Sequence, residues 1–121
     1  MGKGPKAQKR HVRPFVPVDK GMLQSPAWEA LTNAARVVWL HLAADFNGRP
    51  EKEGHLRLTY SQAEKLMTRK TFTKALQELQ DKGFIERTTV GGLFNTCSEY
   101  ALVNGWRAWT PPEEKNAKGA F

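Results

Sequence analysis

The 121-residue chain has one cysteine, Cys97, so no intramolecular disulfide can brace it and the fold must rest on a buried apolar core. No stretch approaches the ~20 consecutive apolar residues that a membrane span requires. The N-terminus is basic, but the apolar run of a secretory leader does not follow it. These absences give a cytoplasmic protein without membrane association as the expectation. Histidine is scarce: His11, His41 and His55 are scattered, and together with Cys97 they have no metal-ligand spacing. His41, on an apolar helix, reads as a buried structural histidine. Glycine forms no phosphate-cradling loop, because Gly91-Gly92 is not followed by Lys-Ser/Thr. No nucleophile has a local partner base. The sequence therefore argues against an enzyme, and it shows no sign of a metal, a cofactor or a small-molecule ligand.

What the chain does carry is positive charge, 19 Lys and Arg against 12 Asp and Glu, for a net +7. The charge is unevenly placed. Residues 1–20 hold Lys3, Lys6, Lys9, Arg10, Arg13 and Lys20 against Asp19 alone, whereas Lys115 and Lys118 balance Glu113 and Glu114 at the other end. A cationic arm beside a nearly neutral domain suits a polyanionic partner, nucleic acid above all, although a solubilising tail has the same composition. Pro5, Pro14 and Pro17 and the absence of a helical period make 1–20 a flexible basic arm, extended near residues 15–18. Pro111-Pro112 ends regular structure, leaving 111–121 as a disordered tail and 21–110 as one domain.

Within 21–110 the elements are punctuated clearly. Ser25-Pro26 starts a short helix carrying Trp28 and Leu31. Thr32 caps a second, running to about residue 46 and apolar nearly all round through Ala34, Ala35, Val37, Val38, Trp39, Leu40, Leu42 and Phe46. That pattern predicts a central, covered helix. Leu56 and Leu58 alternate as in a short strand over 55–59. Ser61 with Glu64 reads as a capping box opening a third helix over 62–67, with Ala63, Leu66 and Met67 inward. Thr68 caps a fourth helix, 69–82, closed by Gly83, with the apolar stripe Phe72, Ala75, Leu76 and Leu79. Strands over 84–90 and 97–103 flank the Gly91-Gly92 turn. Trp106 and Trp109 follow the last strand and read as packing residues or a dimer contact before base-stacking ones.

The predicted class is α+β, mostly α. The order of helix, helix, strand, helix, turn, helix and hairpin is that of a winged helix-turn-helix. Docking the stripe at 72, 75, 76 and 79 turns Lys70, Thr73, Lys74 and Gln77 outward together, with Arg69 and Thr71 at the helix start. Lys and Arg can reach phosphates or guanine edges, and Gln can pair with adenine. The alternative for such a face is a merely solvated one. Tyr60, Ser61 and Gln62 can hydrogen-bond phosphates, Arg57 and Lys65 extend the cationic surface, and Arg87 is the one arginine of the hairpin. Lys9, Arg10 and Arg13 can enter a minor groove or add nonspecific attraction.

Several segments resemble a winged-helix family of bacterial, phage and mobile-element proteins. Leu23-Gln24-Ser25-Pro26-Ala27-Trp28-Glu29-Ala30-Leu31, Ala35-Arg36 and Asn47-Gly48 look like its opening. Lys70-Thr71-Phe72, then Ala75-Leu76-Gln77-Glu78-Leu79, then Lys82-Gly83-Phe84-Ile85, are similar to its recognition helix and the lead into its wing. Ser98-Glu99-Tyr100-Ala101-Leu102 resembles the closing wing strand. The likeness spans about residues 15–103. Two departures stand out: the wing is short and weakly basic, and Leu66-Met67-Thr68 lacks the usual turn glycine. The resemblance implies binding of double-stranded DNA, as a transcriptional regulator, which commonly acts as a homodimer, or as a plasmid or phage replication protein. A third reading is a protein-interaction module whose basic face meets an acidic partner.

Overall fold

A computed structural model describes residues 15–46, 49–89 and 98–112. Among these the chain is α+β and mostly helical, with five α-helices and one antiparallel strand pair. Val16 and Val18 pack against the core, and Asp19 caps the first helix, α1 (Lys20–Leu23), by accepting from Gly21 and Met22 N–H. The stretch of the expected arm from residue 15 onward is thus attached to the domain; Lys9, Arg10 and Arg13 lie outside the described residues.

Ser25 opens α2 (Pro26–Glu29) as anticipated, its hydroxyl accepting from Trp28 N–H at 3.2 Å while donating to the Met22 carbonyl at 2.6 Å. One buried hydroxyl therefore closes α1 and starts α2. The Thr32 hydroxyl accepts from Ala35 N–H at the head of α3 (Asn33–Phe46). Ala35, Val38, Trp39, Leu42 and Ala43 of α3 are buried, but Leu40, His41 and Ala44 are exposed. The expectation of an all-round covered helix, with His41 a buried structural histidine, is corrected here. A domain this small has too few elements to surround a four-turn helix.

The segment after α3 passes through a 3-10 turn (Pro50–Lys52) and then touches the sheet only at Leu56, which exchanges both backbone hydrogen bonds with Tyr100 (2.9 and 2.7 Å). The expected strand over 55–59 is thus a single bridge. Helix α4 spans Tyr60–Glu64, not 62–67. Its capping box is Thr59 with Gln62, not Ser61 with Glu64. Both pairs have the required spacing. The Thr59 box places Leu58 before the cap and Ala63 at the fourth helical position, both buried, which are the two positions of a hydrophobic staple. Leu66, expected inward, is left 43% exposed.

Helix α5 (Arg69–Asp81) packs along α3. Strand β1 (Ile85–Thr89) pairs antiparallel with β2 (Glu99–Leu102), Ile85 opposite Leu102 and Arg87 opposite Tyr100, with an irregularity between Arg87 and Thr89. Since Tyr100 also bridges Leu56, β2 lies between β1 and the 55–58 segment. The Gly91-Gly92 turn and Cys97 lie outside the described residues. Four aromatic rings join the layers. Trp28 makes T-shaped contacts with Trp39 and Phe84, with centroids 5.8 Å apart in each pair, and Phe84 stacks on Trp106. Trp106, in the closing 3-10 turn (Gly105–Ala108), is buried, in line with the packing reading.

Candidate nucleic-acid interface

The fold's longest solvent-facing cationic element is α5, and both of its ends are anchored. Thr68 accepts from Thr71 N–H at the N-terminus. At the C-terminus Gly83 has φ +84°, and its N–H reaches the Gln80 carbonyl while Phe84 N–H reaches that of Leu79. This pair of bonds is a Schellman motif, and its apolar partners, Leu79 and Phe84, are both fully buried. Phe72 and Ala75 are buried too, and Leu76, expected in the same stripe, is half-buried at its edge.

With that stripe inward, Lys70, Thr73, Lys74 and Gln77 are all exposed, as the periodicity predicts. Neither Lys70 nor Lys74 has an ion pair with another described residue. No acidic residue stands in the first turn of α5. Arg69 and Lys70 therefore sit at the positive end of the helix dipole with no acidic residue in the same turn, a placement that favours a bound anion.

The remaining candidates divide. Gln77 donates to the Asp81 carboxylate at 2.9 Å, so its amide is engaged within the helix and the C-terminal end of this face is acidic. Thr71 is half-buried and its hydroxyl accepts from that of Thr68. The Gln62 side-chain oxygen is taken by Thr59 in the capping box. Ser61 is exposed and does not serve as the cap. Tyr60, at the first turn of α4, is 47% exposed and is joined to α5 by two ring contacts. Its ring stands nearly perpendicular to that of Phe72, centroids 5.6 Å apart, and the Arg69 guanidinium lies 4.1 Å over its face. Tyr60 and Arg69 are both interface candidates by sequence, but the contact between them has no local signal, because it depends on how two helices dock.

Arg57 and Arg87 belong to the sheet side. Both are exposed, and among the described residues no hydrogen bond or ring contact ties either to α5. Arg57 stands near Glu99, whose carboxyl is held below its ordinary 4.5 mainly by a hydrogen bond with His55 (2.9 Å) and further by the charges of His55, Arg57 and Lys52. The acidic neighbour weakens the field Arg57 can offer a phosphate. Thr88 of β1 donates to the Gly54 carbonyl. The structure thus gathers Arg69, Lys70, Thr73, Lys74 and Tyr60 into one exposed region and leaves Arg57 and Arg87 apart from it.

Among the described residues no group of three or more His, Cys, Asp or Glu could hold a metal ion, and no helix is long and apolar enough to cross a membrane. Comparison with protein-family models, with curated proteins and with solved structures found no match to this chain.

Proposed function

We propose that this chain is a winged helix-turn-helix protein that binds double-stranded DNA sequence-specifically, as a transcriptional regulator, with the Lys70–Thr73–Lys74 face of α5 in the major groove. One observation carries the reading: two lysines and a threonine stand exposed on the face of α5 opposite buried Phe72, Ala75 and Leu79, with no acidic partner among the described residues. A helix fixed to the core along one side and cationic along the other matches the demands of groove insertion, where phosphate contacts supply affinity and side chains read base edges.

The element order supports the same reading. Helices α4 and α5 are joined by a short turn, the β1–β2 hairpin follows, and the 55–58 segment borders the far edge of β2. The net charge of +7 favours a polyanionic partner. Arg87 is the one arginine on β1, so the hairpin contributes phosphate contact at most.

The test is a titration of the chain with a random-sequence duplex at increasing salt. Binding should weaken linearly on a log–log plot, with a slope of roughly −0.9 per phosphate contacted. Selection from a random duplex pool should then enrich a shared motif. Absence of binding even at low salt overturns the DNA reading, and binding without an enriched motif overturns sequence specificity.

A further inference from the structure

The Arg69 guanidinium lies 4.1 Å from the centroid of the Tyr60 ring, and the same ring packs at 85° to buried Phe72, centroids 5.6 Å apart. We propose, on the DNA-binding reading above, that Tyr60 is a positioning residue: it holds Arg69 ready for a DNA backbone phosphate and does not itself contact DNA.

The argument starts from Arg69 as a side chain. It is exposed, and no ion pair or hydrogen bond with another described residue occupies it. Among the described residues, its guanidinium rests on the Tyr60 ring. An exposed arginine ordinarily samples many rotamers and must give up that freedom to bind. Resting on an aromatic face restricts the sampling beforehand, because the attraction between cation and ring favours one placement of the guanidinium. A guanidinium lying against a ring can still direct its in-plane N–H groups outward, and its planar fork matches the oxygens of a phosphate.

The ring is itself fixed. Tyr60 is the first residue of α4, directly after Thr59, whose hydroxyl and backbone N–H are both tied to Gln62. Phe72 holds the ring from the α5 side, one turn from Arg69. Capping box, ring and guanidinium thus form a chain from the turn of α4 to the start of the proposed reading helix. The phosphate assignment follows from this placement. Arg69 is the first residue of α5, beside Lys70, and the face proposed to read bases lies further along at Thr73 and Lys74.

The test compares the full chain carrying Y60A, Y60L, Y60F, R69A or Y60A/R69A for binding to one duplex across a salt series, with thermal melts confirming that each variant is folded. Y60A and Y60L should weaken binding about two- to five-fold, the range expected for an exposed cation–π contact. Y60L keeps apolar contact with Phe72, so a loss there reports the missing aromatic face and not lost packing. Y60F should restore wild-type affinity. Adding Y60A to R69A should produce no further loss. R69A should lower the magnitude of the salt slope by about 0.9, by the same amount on unrelated duplexes.

A Y60F loss as large as that of Y60A would mean that the hydroxyl touches DNA, and a full Y60A loss in the R69A background would mean the same of the ring; either overturns the positioning role. An unchanged slope in R69A, or a loss confined to one duplex sequence, overturns the phosphate assignment. If the wild-type chain binds no duplex at any salt, the DNA reading falls and this inference falls with it. If the wild type binds but Y60L is unaffected, only the inference fails.

Discussion

The Glu78 carboxylate of α5 accepts both the backbone N–H and the hydroxyl of Thr32, each at 2.8 Å, across 46 residues of sequence. One side chain on the proposed reading helix thereby caps the helix it packs against. The bond fixes the rotation of α5 about its own axis and with it the direction in which Lys70 and Lys74 point. Lys82 stands at 3.9 Å from the same carboxylate. E78A should therefore cost about 1–3 kcal/mol, the range for a cap and for hydrogen bonds to a charged group. E78Q, which keeps one acceptor oxygen, should lose less. Denaturant unfolding checks the order, and equal stability of E78A and wild type would remove Glu78 from this role.

Gly83 and Gly105 approach backbone to backbone. A β-carbon on Gly83 would lie 2.5 Å from the Gly105 carbonyl carbon and 2.7 Å from Trp106 N, whose N–H donates to the Gly83 carbonyl. At φ +84° any L side chain there is also strained. G83A should cost at least about 2 kcal/mol from the combination. G105A, whose β-carbon would meet Gly83 at 3.2 Å, should cost less. Thermal melts of the two variants rank them, and a milder G83A would contradict the close approach.

Core substitutions on α5 should separate by burial. Leu79 is fully buried and Leu76 only partly. L79A should cost about 2–5 kcal/mol through lost burial and a residual cavity. L76A should fall below it, since solvent already reaches that side chain. At about 4–8 °C per kcal/mol for a domain of this size, the melting temperatures should differ visibly.

The His55–Glu99 pair predicts an acid-side dependence. The Glu99 carboxyl titrates below its ordinary 4.5 in the fold, first through the hydrogen bond with His55 and then through the charges of His55, Arg57 and Lys52. A depressed folded-state pKa means that ionised Glu99 stabilises the fold. That contribution is complete above the unfolded-state value and is lost as the pH falls through the folded-state one. Between about pH 6 and about pH 3 the wild type should lose more stability than E99Q. Parallel acid profiles would show that the contact contributes nothing.

Much of α5 was legible in the sequence because its signals are local. The Thr68 cap, the Gly83 stop and the 3.6-residue stripe all lie within one segment, and they predict both the helix and the face exposing Lys70, Thr73 and Lys74. The start of α4 was ambiguous for an equally local reason: Thr59–Gln62 and Ser61–Glu64 satisfy the same capping spacing two residues apart, and burial of Leu58 distinguishes them. Three relationships had no local signal. Glu78 reaches Thr32, Arg69 reaches Tyr60, and Gly105 accommodates Gly83 only once helices and turns are packed. The engagement of Gln77 by Asp81, by contrast, is an ordinary pairing four residues apart on a helix. Periodicity alone, which shows only that Gln77 faces outward, leaves it free to read a base.

The most direct test of the DNA-binding account is duplex affinity of K70A/K74A against wild type over a salt series, with thermal stability measured on the same samples. The account predicts a clear loss of affinity, a salt slope smaller in magnitude by up to about 1.8 if both lysines contact phosphates, and a melting temperature nearly unchanged because both side chains are exposed. Wild-type affinity and slope in a folded K70A/K74A variant would show that this face of α5 does not meet DNA.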